Sequence, residues 1–233
     1  IIIPARPLTI PVLESARAGL AAVFANVLLF RLLVPDAPYA LLSHWPISMQ
    51  ALPWLVLMLA QLYRAEASPV MRHLRLVLAA AAGVIAALLL FVAVFPMNPL
   101  FVYGPEDVSG LVQGPWLLDS LFLAYAVPGL ILLAGLSRLP GIPRPLRIGF
   151  LAVAAGLLGL YAALEIRRWF QGDWLGAPGA MQAELYTYTL ALMALGAALL
   201  FQSIRKGSTL LRRIAMAVIG VTIAKVFLID AAG

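Results

Sequence analysis

Long apolar segments limit the fold of this chain more strongly than any other feature of its sequence. A helix of about 20 apolar residues crosses the hydrocarbon core of a bilayer. The predicted helices cover residues 15–34, 47–63, 74–95, 116–136, 146–166, 183–203 and 210–229. The predicted fold is therefore all-α: a polytopic transmembrane bundle of seven spans that forms a single domain over residues 1–233.

Composition supports the membrane class and argues against nucleic-acid binding. Hydrophobic residues make up 64% of the chain and charged residues only 11%, which is too little polar surface for a soluble globule. The net charge of +6 comes from short basic clusters between apolar runs, as in cytoplasmic loops of membrane proteins, so no nucleic-acid partner is expected. The absence of cysteine excludes disulfides and thiolate metal sites.

The distribution of charge predicts an orientation. If the start of the chain is cytoplasmic, twelve of the sixteen Lys and Arg residues lie on that side and most acidic residues lie on the other. By the positive-inside rule, the start is then cytoplasmic and Gly233 is periplasmic. The opening Ile1-Ile-Ile-Pro4 has no initiator Met and no basic segment, so we expect a fragment of a longer chain.

A weak internal repeat accompanies this pattern. Leu-Arg pairs open three outward helices, at Leu74-Arg75, Leu146-Arg147 and Leu211-Arg212. The spacing is consistent with a parallel repeat of helical hairpins. The alternative is that any outward helix with a basic start and an acidic outer end would align in this way. Small residues four apart, such as Ala79 and Gly83 or Ala152 and Gly156, predict close helix packing.

Lys225 is the residue that most needs explanation, because it interrupts the apolar run from Ile214 to Ile229. An ammonium inside a spanning helix costs a few kcal/mol unless it snorkels or finds a partner. On a regular α-helix Asp230, five positions on, lies roughly 140° around the axis, so we expect a partner on another helix. Glu165 is the first candidate and Glu184 the second.

These residues belong to a charged cluster predicted at the outer ends of the last three helices. Its members are Glu165, Arg167, Arg168, Glu184, Lys225 and Asp230. In one interpretation they form bridges that fix helix register, with Glu165 and Arg168 paired at i,i+3. In the other interpretation they line a pocket that binds an anionic headgroup or passes a proton, and Asn26 and Arg31 could also line this pocket. A snorkelling anchor is the simpler role for Arg31.

The remaining polar features favour no catalytic site. The longest outer loop, residues 96–116, contains Glu106 and Asp107, which are more typical of a solvated turn than of a cation site. His44 and His73 stand apart on opposite sides, so no metal and no serine triad is predicted. Phosphate loops and other catalytic motifs are also absent from the sequence, and no cofactor is expected.

Four motifs in the second half resemble one family. They are Leu164-Glu165-Ile-Arg167-Arg168-Trp-Phe-Gln-Gly172, Glu184-Leu-Tyr186-Thr-Tyr188, Arg205-Lys206-Gly207-Ser208 and Lys225-Val-Phe-Leu-Ile-Asp230. With Asn98-Pro99-Leu100, Tyr125 and Pro128, they resemble the C-terminal region of the DUF2339 family. The resemblance implies a bacterial inner-membrane protein with many helices and no settled activity. Asp119 departs from it, since an amide is expected there.

The sequence thus leaves two main functions open. The leading one is transport or handling of an envelope lipid, a glycan precursor or another anionic solute through the charged cluster. The alternative is a non-catalytic scaffold or accessory subunit whose helix faces bind another membrane protein or the missing helices of its own chain. A membrane-embedded transferase is a weaker third possibility. A cavity reaching Lys225 favours transport, whereas a closed bridge and a covered apolar face favour a scaffold.

Overall fold

The computed structural model describes residues 9–33, 43–101, 104 and 110–230. Seven α-helices lie in these ranges: α1 Thr9–Leu33, α2 His44–Ala67, α3 Arg72–Val94, α4 Val127–Ser137, α5 Arg144–Gln171, α6 Gln182–Lys206 and α7 Thr209–Lys225. Three short turns accompany them: a 3₁₀ turn at Pro99–Phe101 and π turns at Phe122–Ala126 and Val226–Asp230. The described chain has no strand, which confirms the all-α class.

Among the described residues, five helical segments are long and apolar enough to cross a membrane. They are Val12–Leu33, His44–Ala67, Arg72–Phe101, Arg144–Gln171 and Gln182–Lys206. Phe122–Ser137 is a shorter apolar helix. The predicted count of seven spans, the orientation and the hairpin repeat stay predictions.

The second helix contains a proline in its interior. It begins at His44 and continues through Pro53, so this proline neither starts nor ends the helix. Its buried residues include Gln50, Gln61 and Leu55, because α2 has neighbours on several sides. α1, α3 and α4 all pack against it.

Helical structure in the fourth predicted segment begins a few residues after the predicted start near residue 116. Trp116, Leu117 and Leu118 are not helical, and helical structure begins at Ser120. The reason is a cap: the Asp119 carboxylate accepts a hydrogen bond from the Phe122 backbone N–H at 2.9 Å. The apolar side chains before Asp119 resemble a helix start, but the cap residue sets the boundary.

Contacts divide the chain into two compact units. The first unit comprises residues 1–165 and 173–177, and the second comprises residues 166–172 and 178–233. The core of the first unit contains large buried side chains such as Leu121, Tyr125 and Leu132. Its helices approach closely at glycines: the Met58 Sδ lies 2.9 Å from where a Cβ on Gly83 would stand. The prediction of a single bundle stays a prediction.

The second unit is built on the α6–α7 hairpin. Gly207 ends α6 with a φ of 60°, a left-handed conformation that glycine adopts without steric cost. The Gly207 and Ser208 N–H groups donate to carbonyls of the last α6 turn, and the Ser208 hydroxyl then accepts from Leu211 N at 3.3 Å. These caps satisfy both helix ends in a two-residue connection, so α6 and α7 run antiparallel.

Candidate functional site

The second unit holds a buried carboxylate at the start of α6. Glu184 is completely buried, and its carboxylate accepts hydrogen bonds from Arg167 Nη1 at 3.1 Å, Gln171 Nε2 at 3.1 Å and the Tyr188 hydroxyl at 3.2 Å. It also accepts from Met181 N at 3.4 Å. Arg167 and Gln171 are one turn apart at the end of α5, and Glu184 and Tyr188 are one turn apart on α6.

Local sequence explains why a charge is tolerated here. Glu184 occupies the third position of α6, where a carboxylate can reach back to a free backbone N–H and where the helix dipole favours negative charge. Arg167 supplies the opposite charge in a salt bridge whose side chains are 16% and 1% exposed. A buried carboxylate with four donors is fixed in place, because each lost donor would leave a buried acceptor unpaired.

Lys225 binds the same helix from α7. Its ammonium donates to the Leu185 carbonyl oxygen at 2.9 Å and to the Thr189 hydroxyl at 2.8 Å. The Thr189 hydroxyl in turn donates to Leu185 O at 3.2 Å. The prediction that Lys225 reaches another helix is confirmed, and its contacts include these two polar groups of α6.

The structure corrects one expected partner. Glu184, the second candidate, binds Arg167 rather than Lys225, because the connection from α5 brings Arg167 to the first turn of α6. Glu165, the first candidate, belongs to the other unit, and its pairing with Lys225 or Arg168 stays a prediction. Arg168 is 6% exposed.

The end of α7 differs from the regular α-helix on which the expected position of Asp230 was based. Val226–Asp230 is a π turn, in which hydrogen bonds connect residues five apart. The backbone turns less per residue there, so the predicted separation of about 140° between Lys225 and Asp230 no longer applies. The Asp230 side chain lies outside the described part of the structure.

We call one group of side chains the polar cluster: Arg167, Gln171, Glu184, Tyr188, Thr189 and Lys225. Beside it, an apolar groove of about 410 Å³ runs between α6 and α7. The groove is lined by Met193, Ala197, Leu200, Ile219, Thr222, Ile223, Val226 and Phe227. All of these residues belong to the second unit. The groove was not predicted from the sequence.

A family model described as "Predicted membrane protein (DUF2339)" matches residues 7–233. The chain belongs to the DUF2339 family. This confirms the resemblance drawn from the four motifs and extends it over nearly the whole chain. No curated protein and no solved structure matches the chain. The DUF2339 chain is thus a membrane protein by family, with several helices long and apolar enough to cross a bilayer.

A buried pair in the first unit of this DUF2339 chain was not predicted from the sequence. His44 Nε2 lies 3.0 Å from the Ser120 Oγ, although 76 residues separate them. The Ser120 hydroxyl also accepts from Gln113 N at 3.1 Å, which ties the pair to the segment before the helix. His44 is 0% exposed and Ser120 is 3% exposed. The enclosed pair joins the start of α2 to the helical turn that precedes α4, and the Ser120 hydroxyl is not accessible as a nucleophile.

The other predicted polar residues have plainer positions. Asn26 donates to the Gln50 carbonyl oxygen at 2.8 Å, which ties α1 to α2 within the first unit, and Arg31 is exposed. Glu106 and Asp107 lie outside the described residues. Within the described ranges no group of three His, Cys, Asp or Glu residues could hold a metal ion.

Proposed function

We propose that the polar cluster binds the anionic part of an envelope lipid, a glycan precursor or another anionic solute, and that the protein transports or handles this molecule. In this proposal the chain lies in the bacterial inner membrane with its start in the cytoplasm and the polar cluster in the outer leaflet. The family assignment supports a membrane location, and the charge asymmetry of the loops supports the orientation.

One observation carries the proposal: two cations are held at the start of α6, Arg167 by the buried Glu184 carboxylate and Lys225 by Leu185 O and the Thr189 hydroxyl. Arg167 and Lys225 are both held by named partners on α6, so their positions are set before any ligand arrives. Preorganised cationic donors favour an anion, since less ordering is required on binding.

A specific observation favours the scaffold as the second candidate. α1 has the most exposed span of the five, with 6% of its apolar window buried, and Leu20 and Phe24 are each 70% exposed. Such a face is suited to lipid, to another membrane protein or to further helices of the same chain. In this alternative the contacts of Lys225 with α6 are structural and the polar cluster binds no ligand.

The experiment compares lipid binding by purified full-length protein and three variants. Each is incubated with mixed phosphatidylglycerol and phosphatidylcholine, and retained lipid is measured by native mass spectrometry. We expect wild-type protein to retain phosphatidylglycerol preferentially, Lys225→Met to lose that preference and Lys225→Arg to keep it, because the charge is what the anion recognises.

Arg213→Met is the matched control, since it removes an exposed cation at the opposite end of α7. It should leave the preference unchanged. Equal retention of both lipids by wild-type protein, or equal loss of preference in Lys225→Met and Arg213→Met, would refute lipid binding at the polar cluster. Size-exclusion profiles confirm that each variant is folded before binding is compared. Retention of a soluble anion in place of phosphatidylglycerol would support the broader proposal.

A further inference from the structure

Three side chains of the first unit have buried polar atoms with no hydrogen-bond partner among the residues that the structure describes. The atoms are Ser15 Oγ on α1, Gln61 Nε2 and Oε1 on α2, and Arg75 Nε on α3. Gln61 is completely buried, and Ser15 and Arg75 are 6% and 4% exposed. We call these three residues the inner polar group. A buried polar atom without a partner loses the free energy of its hydration, so this arrangement is unfavourable as it stands.

Helix register places Ser15 opposite Gln61. Asn26 of α1 donates to the Gln50 carbonyl oxygen of α2 at 2.8 Å, which fixes one level at which the two helices meet. Ser15 lies eleven residues before Asn26, and Gln61 lies eleven residues after Gln50. Eleven residues make three helical turns to within about 20°. Because α1 and α2 run antiparallel, both side chains return to the contact face at the same level.

Arg75 reaches nearly the same level from α3. Its Nη1 donates to the Arg64 carbonyl oxygen at 2.8 Å, and its Nη2 lies 3.8 Å from the Glu14 carboxylate. Glu14 directly precedes Ser15, and Arg64 is three residues after Gln61, about one helical turn. The inner polar group is therefore assembled from three consecutive helices at one end of the first unit, the end at which α1 and α3 begin.

The free atoms match water better than they match an ion. Gln61 Oε1 can only accept a hydrogen bond, Gln61 Nε2 and Arg75 Nε can only donate, and Ser15 Oγ can do both. An anion could not use the amide oxygen of Gln61, and a cation would be repelled by the Arg75 guanidinium. Water donates and accepts, so a few molecules can satisfy all four atoms.

Water can reach these atoms only if a helix moves, because they are closed to solvent in the structure. α1 is the least buried of the five long apolar segments in the described ranges, with 6% of its apolar window buried against 44% for α2. Its described residues include only two buried ones, the small Ser15 and Ala22, so separation from α2 breaks little packing. The Glu14 side chain that pairs with Arg75 is 49% exposed, and such an ion pair contributes little. α1 is therefore the helix that can move.

We propose that the first turns of α1 swing away from α2 and α3 and admit water to the inner polar group. The hydrogen bond between Asn26 and the Gln50 carbonyl oxygen, three turns further along α1, is the pivot. α1 then acts as a gate that opens on the cytoplasmic side in the predicted orientation. Opening exchanges a long ion pair and a few small contacts for the hydration of four polar atoms, so both states are populated. The gate belongs to the first unit and does not require anion binding by the polar cluster, which belongs to the second.

The chain has no cysteine, so single cysteines report which positions water reaches. Ala18→Cys is the reporter, because Ala18 lies one turn after Ser15 and packs against the core. Full-length protein in phosphatidylcholine nanodiscs, which leave both membrane faces accessible, is treated with 2-sulfonatoethyl methanethiosulfonate. This charged reagent reacts with hydrated thiolates, and mass spectrometry follows the modification. We expect Ala18→Cys to react about tenfold faster than Leu20→Cys, since Leu20 is 70% exposed on the face away from α2 and a thiol there lies in lipid.

The role of the inner polar group is tested in the Ala18→Cys background. Gln61→Leu should slow the reaction about tenfold, because a leucine of similar size has no amide to hydrate and the gate stays closed. Gln202→Leu is the matched control, since it makes the same change at an exposed amide of α6 in the second unit, and it should leave the rate unchanged. Size-exclusion profiles confirm that each variant is folded before rates are compared.

Three results would overturn the gate. One is modification of Ala18→Cys no faster than the background set by the unsubstituted protein, which means that α1 stays closed. Another is an equal rate for Ala18→Cys and Leu20→Cys, which means that the reagent reaches α1 from all sides rather than through an opening toward α2. The third is an equal rate in Gln61→Leu and Gln202→Leu, which means that hydration of the inner polar group does not drive the opening.

Discussion

Replacing Arg167 by Met should destabilise the second unit by leaving a buried carboxylate without its cation. The Glu184 side chain is 1% exposed, so water cannot take over from the guanidinium that lies 3.1 Å away. Removing one partner of a buried ion pair costs about 3–5 kcal/mol. Gln171, Tyr188 and Met181 N still donate to the carboxylate, which places the expected loss near the low end, about 3 kcal/mol.

For a chain of this length, a loss of about 3 kcal/mol lowers the unfolding temperature by about 6–12 °C. Thermal unfolding of the full-length protein in one detergent measures the shift. Arg167→Met with Glu184→Gln should regain about half of it, because the amide carries no charge to leave unpaired. The exposed Arg213 serves as the control, and Arg213→Met should shift stability by less than about 0.5 kcal/mol. If Arg167→Met behaves like Arg213→Met, or if the double variant is no more stable than the single, the reasoning about the pair is refuted.

Two further predictions concern packing and capping in the first unit. Gly135→Ala should lower the free energy of unfolding by about 1–3 kcal/mol, because the new Cβ would lie 2.5 Å from Leu59 Cδ1. Gly149→Ala is the matched comparison, since a Cβ there would have no neighbour within 4 Å, and it should stabilise α5 by about 0.5–1 kcal/mol. Equal unfolding temperatures for the two variants would contradict this. Asp119→Ala should lower the free energy of unfolding by about 1 kcal/mol, because it removes the side chain that accepts from Phe122 N. Asp119→Asn should change stability little, because its amide oxygen can replace the carboxylate. Equal losses of stability in the two variants would exclude a capping role.

The long helices were predictable from sequence because lipid imposes a minimum apolar length. α5 and α6 contain the whole of their predicted segments. α1 and α3 contain all but the last residue of theirs. Helix ends were less predictable, since they depend on single caps such as Asp119. Small residues gave partial information about packing: Ala79 is 3% exposed and Gly83 faces Met58, but a Cβ on Gly156 would meet no packing neighbour within 4 Å.

Arg167, Glu184 and Lys225 of the polar cluster were predicted as site residues from the sequence, whereas Gln171, Tyr188 and Thr189 were not. The sequence places Arg167 near the end of one helix and Glu184 near the start of the next. The four-residue spacing of Arg167 and Gln171, and of Glu184 and Tyr188, also places each pair one helical turn apart. Which cation meets Glu184 depends on how the connection between α5 and α6 folds, and apolar periodicity carries no information about that. The groove depends on Ala197 facing α7, which follows from packing alone.

The late start of α4 has a consequence for the surrounding membrane. Phe122–Ser137 is about 24 Å long at 1.5 Å per residue, less than the hydrocarbon thickness of about 30 Å. Trp116 and Leu118, which precede this segment, are exposed and non-helical. The Tyr161 hydroxyl donates a hydrogen bond to the Leu117 carbonyl oxygen at 2.9 Å, so this backbone group has a protein partner in place of water. If Phe122–Ser137 is a span, as the sequence predicts, its length produces hydrophobic mismatch: the adjacent lipid has to thin or admit water at one face, and short-chain lipids should stabilise the protein more than long-chain lipids do.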